Sequence, residues 1–175
     1  MSLFKVWDVE IDPTWSSLIE WLDSINIQKS DKYTLSFDNI HQPISPHWHN
    51  LLSILIQDAY ERLDNSRLQS QKDKGLMEFH YYKINGPTKT IFDEHEDDYG
   101  GIGYKVNTVI YYFRKDQGVI GGDLQFGKYT LPVNSPVDGY FRAVAFAGNI
   151  THRVTPMDGE GIRHCIVIQL KACGR

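Results

Sequence analysis

The sequence predicts a mainly β protein with supporting N-terminal helices, folded as an antiparallel sandwich or barrel that the helices prop on one side. Three observations predict it. Apolar residues recur at helical spacing in two early segments. From Leu76 onward, short apolar and aromatic runs alternate with turn residues. Hydrophobic residues make up 41% and aromatics 13% of the 175 residues, enough for a packed interior.

Taken in order, residues 4–11 alternate apolar and polar and read as a strand. Asp12-Pro13 then supplies a capping acid followed by a first-turn proline. Trp15, Leu18, Ile19, Leu22 and Ile25 form one helical stripe after it. Residues 26–44 are mixed and polar and match no pattern. Ser45-Pro46 repeats the cap-then-proline signal before a longer helix. Its apolar face is Trp48, Leu51, Leu52, Leu55, Ile56, Ala59 and Leu63. The charged run 67–74 reads as a solvated loop.

Residues 76–84 read as a strand rich in Phe79, Tyr81 and Tyr82, ended by Asn85-Gly86-Pro87. Residues 88–97 are the next strand and 98–103 a glycine-bearing turn. Residues 105–114 carry the strongest strand pattern, with Val106, Val109, Ile110, Tyr111, Tyr112 and Phe113. Short strands follow at 123–126 and 129–131, then a loop through Pro132, Pro136 and Gly139. Strands at 143–147, 152–155 and 162–170 complete the pattern. With no repeat and no linker, residues 1–175 read as a single domain: 1–75 mostly helical support, 76–175 the β core.

Composition excludes several functions. Two cysteines, Cys165 and Cys173, cannot make a disulfide framework or a Cys-type zinc site. A net charge of −4 argues against nucleic acid as a standing partner. No stretch approaches a membrane span, and the first residues lack a signal-peptide core. The expectation is a soluble, cytoplasmic protein with no membrane partner; nothing in the sequence speaks to oligomeric state.

The chemistry concentrates between His95 and Arg163. Side chains two apart on a strand share a side, so His95 and Asp97 can bite one metal. His152, from far along the chain, completes a set of two imidazoles and one carboxylate. Such a set leaves three cis positions open on an octahedral ion and is diagnostic of non-haem Fe(II) oxygenases. Taken alone, His95 and Asp97 are also an ordinary polar strand end within an acidic run, and His152 an ordinary buried histidine.

The order His95-x-Asp97, Gly121-Gly122-Asp123-Leu124, His152, then Arg163 resembles the Fe(II)- and 2-oxoglutarate-dependent dioxygenases, and among them the prolyl 4-hydroxylase-like branch. The resemblance covers residues 79–170. It implies a double-stranded β-helix (jelly roll) core, Fe(II) held by His95, Asp97 and His152, and 2-oxoglutarate and O2 as co-substrates, with an ascorbate-like reductant as a further participant. Arg163, eleven residues after His152, takes the 5-carboxylate of 2-oxoglutarate by resemblance. Its planar fork suits a carboxylate better than a lysine does. The turn at 157–161 is expected to fold its strand back beside that of His152. Cys165 stands where relatives often carry Ser or Thr. A tyrosine commonly adds a second contact to the same carboxylate; Tyr112 matches best and Tyr82 is the other candidate. Strand parity separates Tyr112, Ile110 and Thr108 from Tyr111, Val109 and Phe113 without saying which row faces inward. Asp97, in place of the small residue of halogenating relatives, implies hydroxylation.

The implied substrate is a prolyl or similar residue in a peptide or protein, or a small molecule, with succinate and CO2 released. Residues 26–44 and 132–142 are expected to form the mouth. Two alternatives stand beside this reading: a nucleic-acid demethylase of the same superfamily, and a cupin-like metal- or ligand-binding module without oxygenase activity. Among the remaining histidines, His47 and His49 read as surface or capping groups at a helix start. His164 reads as structural, on the opposite face from Arg163, and His80 and His41 have no evident partner.

Overall fold

A computed structural model describes residues 3–25, 32–36, 46–63, 76–88, 92–98 and 106–171. The chain runs β1 (Phe4–Glu10), α1 (Pro13–Ser24), β2 (Lys32–Ser36), α2 (Pro46–Arg62), β3 (Leu76–Thr88) and β4 (Phe92–His95). It continues as β5 (Val106–Lys115), β6 (Ile120–Gly121), β7 (Leu124–Phe126), β8 (Tyr129–Leu131), β9 (Tyr140–Ala147), β10 (His152–Val154) and β11 (Met157–Lys171). The larger sheet has the order β1-β9-β5-β11-β3-β2, with β6 also paired to β11; the smaller has the order β4-β10-β7-β8. The pairings are antiparallel, and the architecture is the expected β-rich jelly roll with helices on one side.

Both helices form where the periodic stripes fall. The Asp12 carboxylate caps α1 by accepting from the Trp15 N–H at 2.9 Å. Trp15, Leu18 and Leu22 are buried, while Ile19 and Ile25 pack at the margin. The seven expected core residues of α2 are all buried, the last of them, Leu63, just past the end of the helix. Leu51 and Leu55 are fully so, each contributing roughly 1.5–3 kcal/mol of hydrophobic stabilisation. The Ser45 cap, the loop at 67–74 and the turn residues 99–103 lie outside the described residues.

β5 explains the two-layered interior. Val106 to Phe113 is buried along both faces. Val109, Tyr111 and Phe113 meet the helices in one core, with Phe79, Tyr81, Ile166 and Ile168. Ile110 and Tyr112 meet the small sheet in the other, with Tyr82, Leu124, Val154 and Cys165. This resolves the parity question: the Tyr112 row faces the space between the sheets.

Three expectations are corrected. β3 does not end at Asn85-Gly86-Pro87 but continues to Thr88, because residues 157–161 are strand rather than turn and pair along it, Gly161 with Gly86 and Met157 with Thr88. There the backbones come so close that a Cβ on Gly86 would sit 2.5 Å from the Gly159 carbonyl oxygen. In consequence, the strand of Arg163 does not lie beside that of His152. β10 pairs with β4 and β7 in the small sheet, β11 with β3 and β5 in the large one. Finally, part of the unplaced stretch 26–44 is strand β2, on the edge of the large sheet. Among the described residues no helix is long and apolar enough to cross a membrane.

Candidate metal centre

The small sheet supplies the ligand group. His95 at the end of β4 and His152 at the start of β10 are direct cross-strand partners, which brings their rings to 4.4 Å. Asp97 lies just past β4 rather than on it, its N–H bonded to the Gly148 carbonyl at 2.7 Å. From there its Oδ1 is 3.3 Å from His95 Nε2 and its Oδ2 3.7 Å from His152 Nε2. One ligand atom from each of the three residues falls within 4.8 Å of the others, so the group can hold a metal ion.

The outward-facing nitrogens are engaged. His95 Nδ1 lies 2.6 Å from the Asp93 carbonyl oxygen and His152 Nδ1 2.8 Å from that of Ile150. Backbone acceptors at Nδ1 place the proton there and leave both Nε2 atoms as lone-pair donors. Burial pushes the His152 imidazole below its ordinary value, against the opposing pull of the Ile150 carbonyl and Asp97, so the ring is neutral as ligation requires. Phe146 and Phe126 wall in His152, while His95 is 41% exposed and marks the solvent side.

A cavity of about 250 Å³ opens from this group along the inner face of the large sheet. Its walls include Tyr82, Ile110, Leu124, Val154 and Cys165, and Arg163 stands at the opposite end from Thr108 and Gln169 along β11. Arg163 is only 1% exposed. Its Nε donates to the Gly122 carbonyl at 2.7 Å, one Nη lies 3.4 Å from Cys165 Sγ, and its Cζ sits 5.0 Å above the Tyr112 ring. Among the described residues no carboxylate forms an ion pair with it. Among the described residues the Tyr112 hydroxyl, buried beside it, makes no hydrogen bond, and burial holds its phenol above the ordinary tyrosine value, partly offset by Arg163. Burial likewise raises the Cys165 thiol, which is therefore protonated.

The three expected ligands, Arg163 and Tyr82 are thus brought to one cavity, end to end, with Tyr112 outside its lining. Tyr82 lines the cavity directly; Tyr112 lies under the guanidinium. Sequence reasoning missed Thr108, whose hydroxyl donates to Asp97 Oδ2 at 2.5 Å, and the lining residues His80 and Gln169. Parity with Tyr82 and Arg163 was the available signal, since His80 and Gln169 lie two and six positions away on the same strands. No residue of 132–142 lines the cavity, and Val133 packs in the inter-sheet core instead. His164 faces the helices, fully buried, as expected. His47 and His49 are exposed at the start of α2, with His47 stacked on Trp21.

Two histidines and an aspartate that can hold a metal are thus set inside a jelly roll. Solved structures share the fold. The chain is similar to a prolyl-4-hydroxylase from Pseudomonas putida, with a TM-score of 0.56 and 15% identity over 98% of this chain and 94% of that one. It is similar to a prolyl 4-hydroxylase from Phytophthora capsici, with a TM-score of 0.58 and 18% identity over 96% of this chain and 59% of that one. IDO from Bacillus thuringiensis is also similar, with a TM-score of 0.54 and 14% identity over 93% of this chain and 90% of that one. No protein-family model and no curated protein matches the sequence.

Proposed function

We propose that this protein is an Fe(II)- and 2-oxoglutarate-dependent dioxygenase that hydroxylates a prolyl or similar residue in a peptide or protein, or a comparable small molecule. One observation carries the reading: a single cavity has a set that can hold a metal at one end and, at the other, a buried guanidinium that meets no counter-anion among the described residues. A buried cation is costly unless an anion joins it, so the unpaired Arg163 argues for an anionic ligand. The orphaned Tyr112 hydroxyl beside it is a second donor for the same ligand.

The residues present fit both groups. His95 Nε2, His152 Nε2 and the Asp97 carboxylate would hold Fe(II), a donor set of imidazole and oxygen suited to that ion. Arg163 would fork onto the far carboxylate of the keto acid, with Tyr112 or Tyr82 adding a hydroxyl. Bound there, iron supplies the redox chemistry that couples decarboxylation of 2-oxoglutarate to succinate and CO2 with hydroxylation by O2. The protein's own work is orientation and exclusion of water. Ile110, Leu124 and Val154 make apolar walls between the two poles, which strengthens each polar contact made at them. The prolyl assignment draws on the names of two of the structures that share the fold.

The test is spectroscopic. Anaerobic addition of Fe(II) and 2-oxoglutarate should produce a weak visible charge-transfer band, and His152→Ala should abolish it. A band of wild-type strength in His152→Ala would remove the site from consideration.

A further inference from the structure

Beside Arg163, which lines the cavity, stands a second cation just outside the lining. Arg163 on β11 and Lys115 on β5 are direct cross-strand partners. The chain between β6 and β7 offers them acceptors in a row. Lys115 Nζ donates to the Gly121 carbonyl at 2.8 Å and to Asp123 Oδ1 at 2.9 Å, whereas Arg163 Nε donates to the Gly122 carbonyl at 2.7 Å. How the acceptors are shared decides the electrostatics. A neutral carbonyl satisfies the guanidinium Nε without cancelling its charge, while the carboxylate, which would cancel it, is held by the lysine.

We propose that Lys115 is a positioning residue that keeps the Asp123 carboxylate off Arg163, leaving the buried guanidinium free for an incoming carboxylate. The inference rests on the reading of Arg163 as a keto-acid anchor. Asp123 follows directly on the residue whose carbonyl Arg163 already contacts. Its charge also reaches Tyr112, the ring beneath the guanidinium. The Asp123 backbone is pinned on both sides, its N–H donating to Thr155 Oγ1 at 3.0 Å and its carbonyl accepting from the Thr155 N–H at 2.9 Å. With the backbone held there, a change of partner by Asp123 is a matter of its side chain, which must also give up the Val133 N–H that it accepts at 3.4 Å. The Lys115 and Asp123 side chains are 13% and 20% exposed, so solvent screens the choice of partner weakly.

Removing the amine should therefore do more than remove a positive charge. In Lys115→Met, Asp123 loses its cation and pairs with Arg163, and a keto acid must break that pair to bind. Adding Asp123→Asn removes the competitor. The signature is rescue: the double variant binds better than the single one. A lysine that merely braced the fold would leave the double variant as weak as the single; one that merely offset the Asp123 charge would also be rescued, but would leave the Arg163 Nε–H resonance in place in Lys115→Met.

The experiment measures 2-oxoglutarate binding calorimetrically on Mn(II)-loaded wild type, Lys115→Met and Lys115→Met/Asp123→Asn. In parallel, nitrogen–proton spectra follow the Arg163 Nε–H in the metal-free proteins. Binding is expected to weaken about tenfold in the single variant and return to within about threefold of wild type in the double. The Nε–H resonance should move in the single variant and return in the double. A double variant as weak as the single, or an Nε–H resonance that stays put in Lys115→Met, overturns the proposal. If wild type binds no 2-oxoglutarate but the resonance moves and returns, the keto-acid reading falls while the Lys115 hold on Asp123 stands. Lys115→Gln takes the place of Lys115→Met should the latter fail to fold.

Discussion

The Thr108 hydroxyl donates to Asp97 Oδ2 across the gap between the two sheets, at 2.5 Å. Asp97 is the one residue of its group that sits off a regular strand, and Thr108 on β5 anchors its side chain as the Gly148 carbonyl anchors its backbone. A ligand carboxylate fixed through one oxygen presents the other in a defined direction. Partners of this kind typically cost 10–100-fold in metal affinity when removed. Thr108→Val, which keeps the shape and deletes the donor, should weaken Fe(II) or Mn(II) binding by about tenfold while leaving the melting temperature nearly unchanged. Unaltered metal affinity, measured by calorimetry, would show that Asp97 needs no such support.

Arg163→Lys separates charge from geometry. The ammonium keeps the positive charge at the end of the cavity but cannot grip a carboxylate at two points, nor donate to the Gly122 carbonyl through an Nε. The expected outcome is a 2-oxoglutarate dissociation constant raised by at least about tenfold, with metal affinity retained. Equal affinity for the keto acid in the two proteins would mean that a point charge suffices and that the fork has no role.

His164 gives the fold an acid-sensitive element away from the site. Burial, with Lys83 and Arg114 nearby, pushes its imidazole down to about 3, although Asp23 Oδ1 lies 3.5 Å from Nδ1. Because the folded value lies below the ordinary 6.5, the unfolded chain binds the proton first as pH falls. Stability from the neutral ring is complete above about pH 6.5 and is lost progressively toward pH 3, by up to about 1.4 kcal/mol per unit. In denaturant titrations between pH 7 and 4, wild type should lose stability more steeply than His164→Leu. Parallel curves would place the acid sensitivity elsewhere.

What the sequence disclosed and what it withheld follow from the range of the interactions involved. The α1 and α2 stripes were legible because helical period is local, and β5 because its run Val109 to Phe113, buried on both faces, is unbroken by charge. His95, Asp97, His152 and Arg163 were legible by residue type and order alone. Strand partners were not. That β10 and β11 belong to opposite sheets is decided by pairings with β4, β7, β3 and β5, far away in sequence. The continuation of β3 through Gly86-Pro87 depends likewise on residues 157–161, whose glycines resemble a turn when read locally. Thr108 stayed hidden for a related reason: alternation sorts β5 into two rows, and only the packed helices reveal which row looks into the cavity, whereas His80 and Gln169 could be read by parity with Tyr82 and Arg163.

Gly122 and Gly127 offer a paired test of how the backbone serves the site. Both have positive φ, 68° and 56°, so an alanine at either costs about 1 kcal/mol or more in backbone strain. Their surroundings differ. A Cβ at Gly127 would meet nothing within 4 Å, whereas at Gly122 it would lie 2.9 Å from Met157 Cγ and 3.0 Å from Arg163 Cδ. Gly127→Ala should therefore lower the melting temperature modestly and leave 2-oxoglutarate affinity as it was. Gly122→Ala should lower the melting temperature further and also weaken keto-acid binding, because the methyl displaces the guanidinium that the Gly122 carbonyl orients. Metal affinity should survive in both, since an added methyl at either glycine would meet none of His95, Asp97 and His152. If the two substitutions prove equally harmless to 2-oxoglutarate binding, the close packing of Gly122 against Arg163 is incidental, and the guanidinium is held by its hydrogen bonds alone.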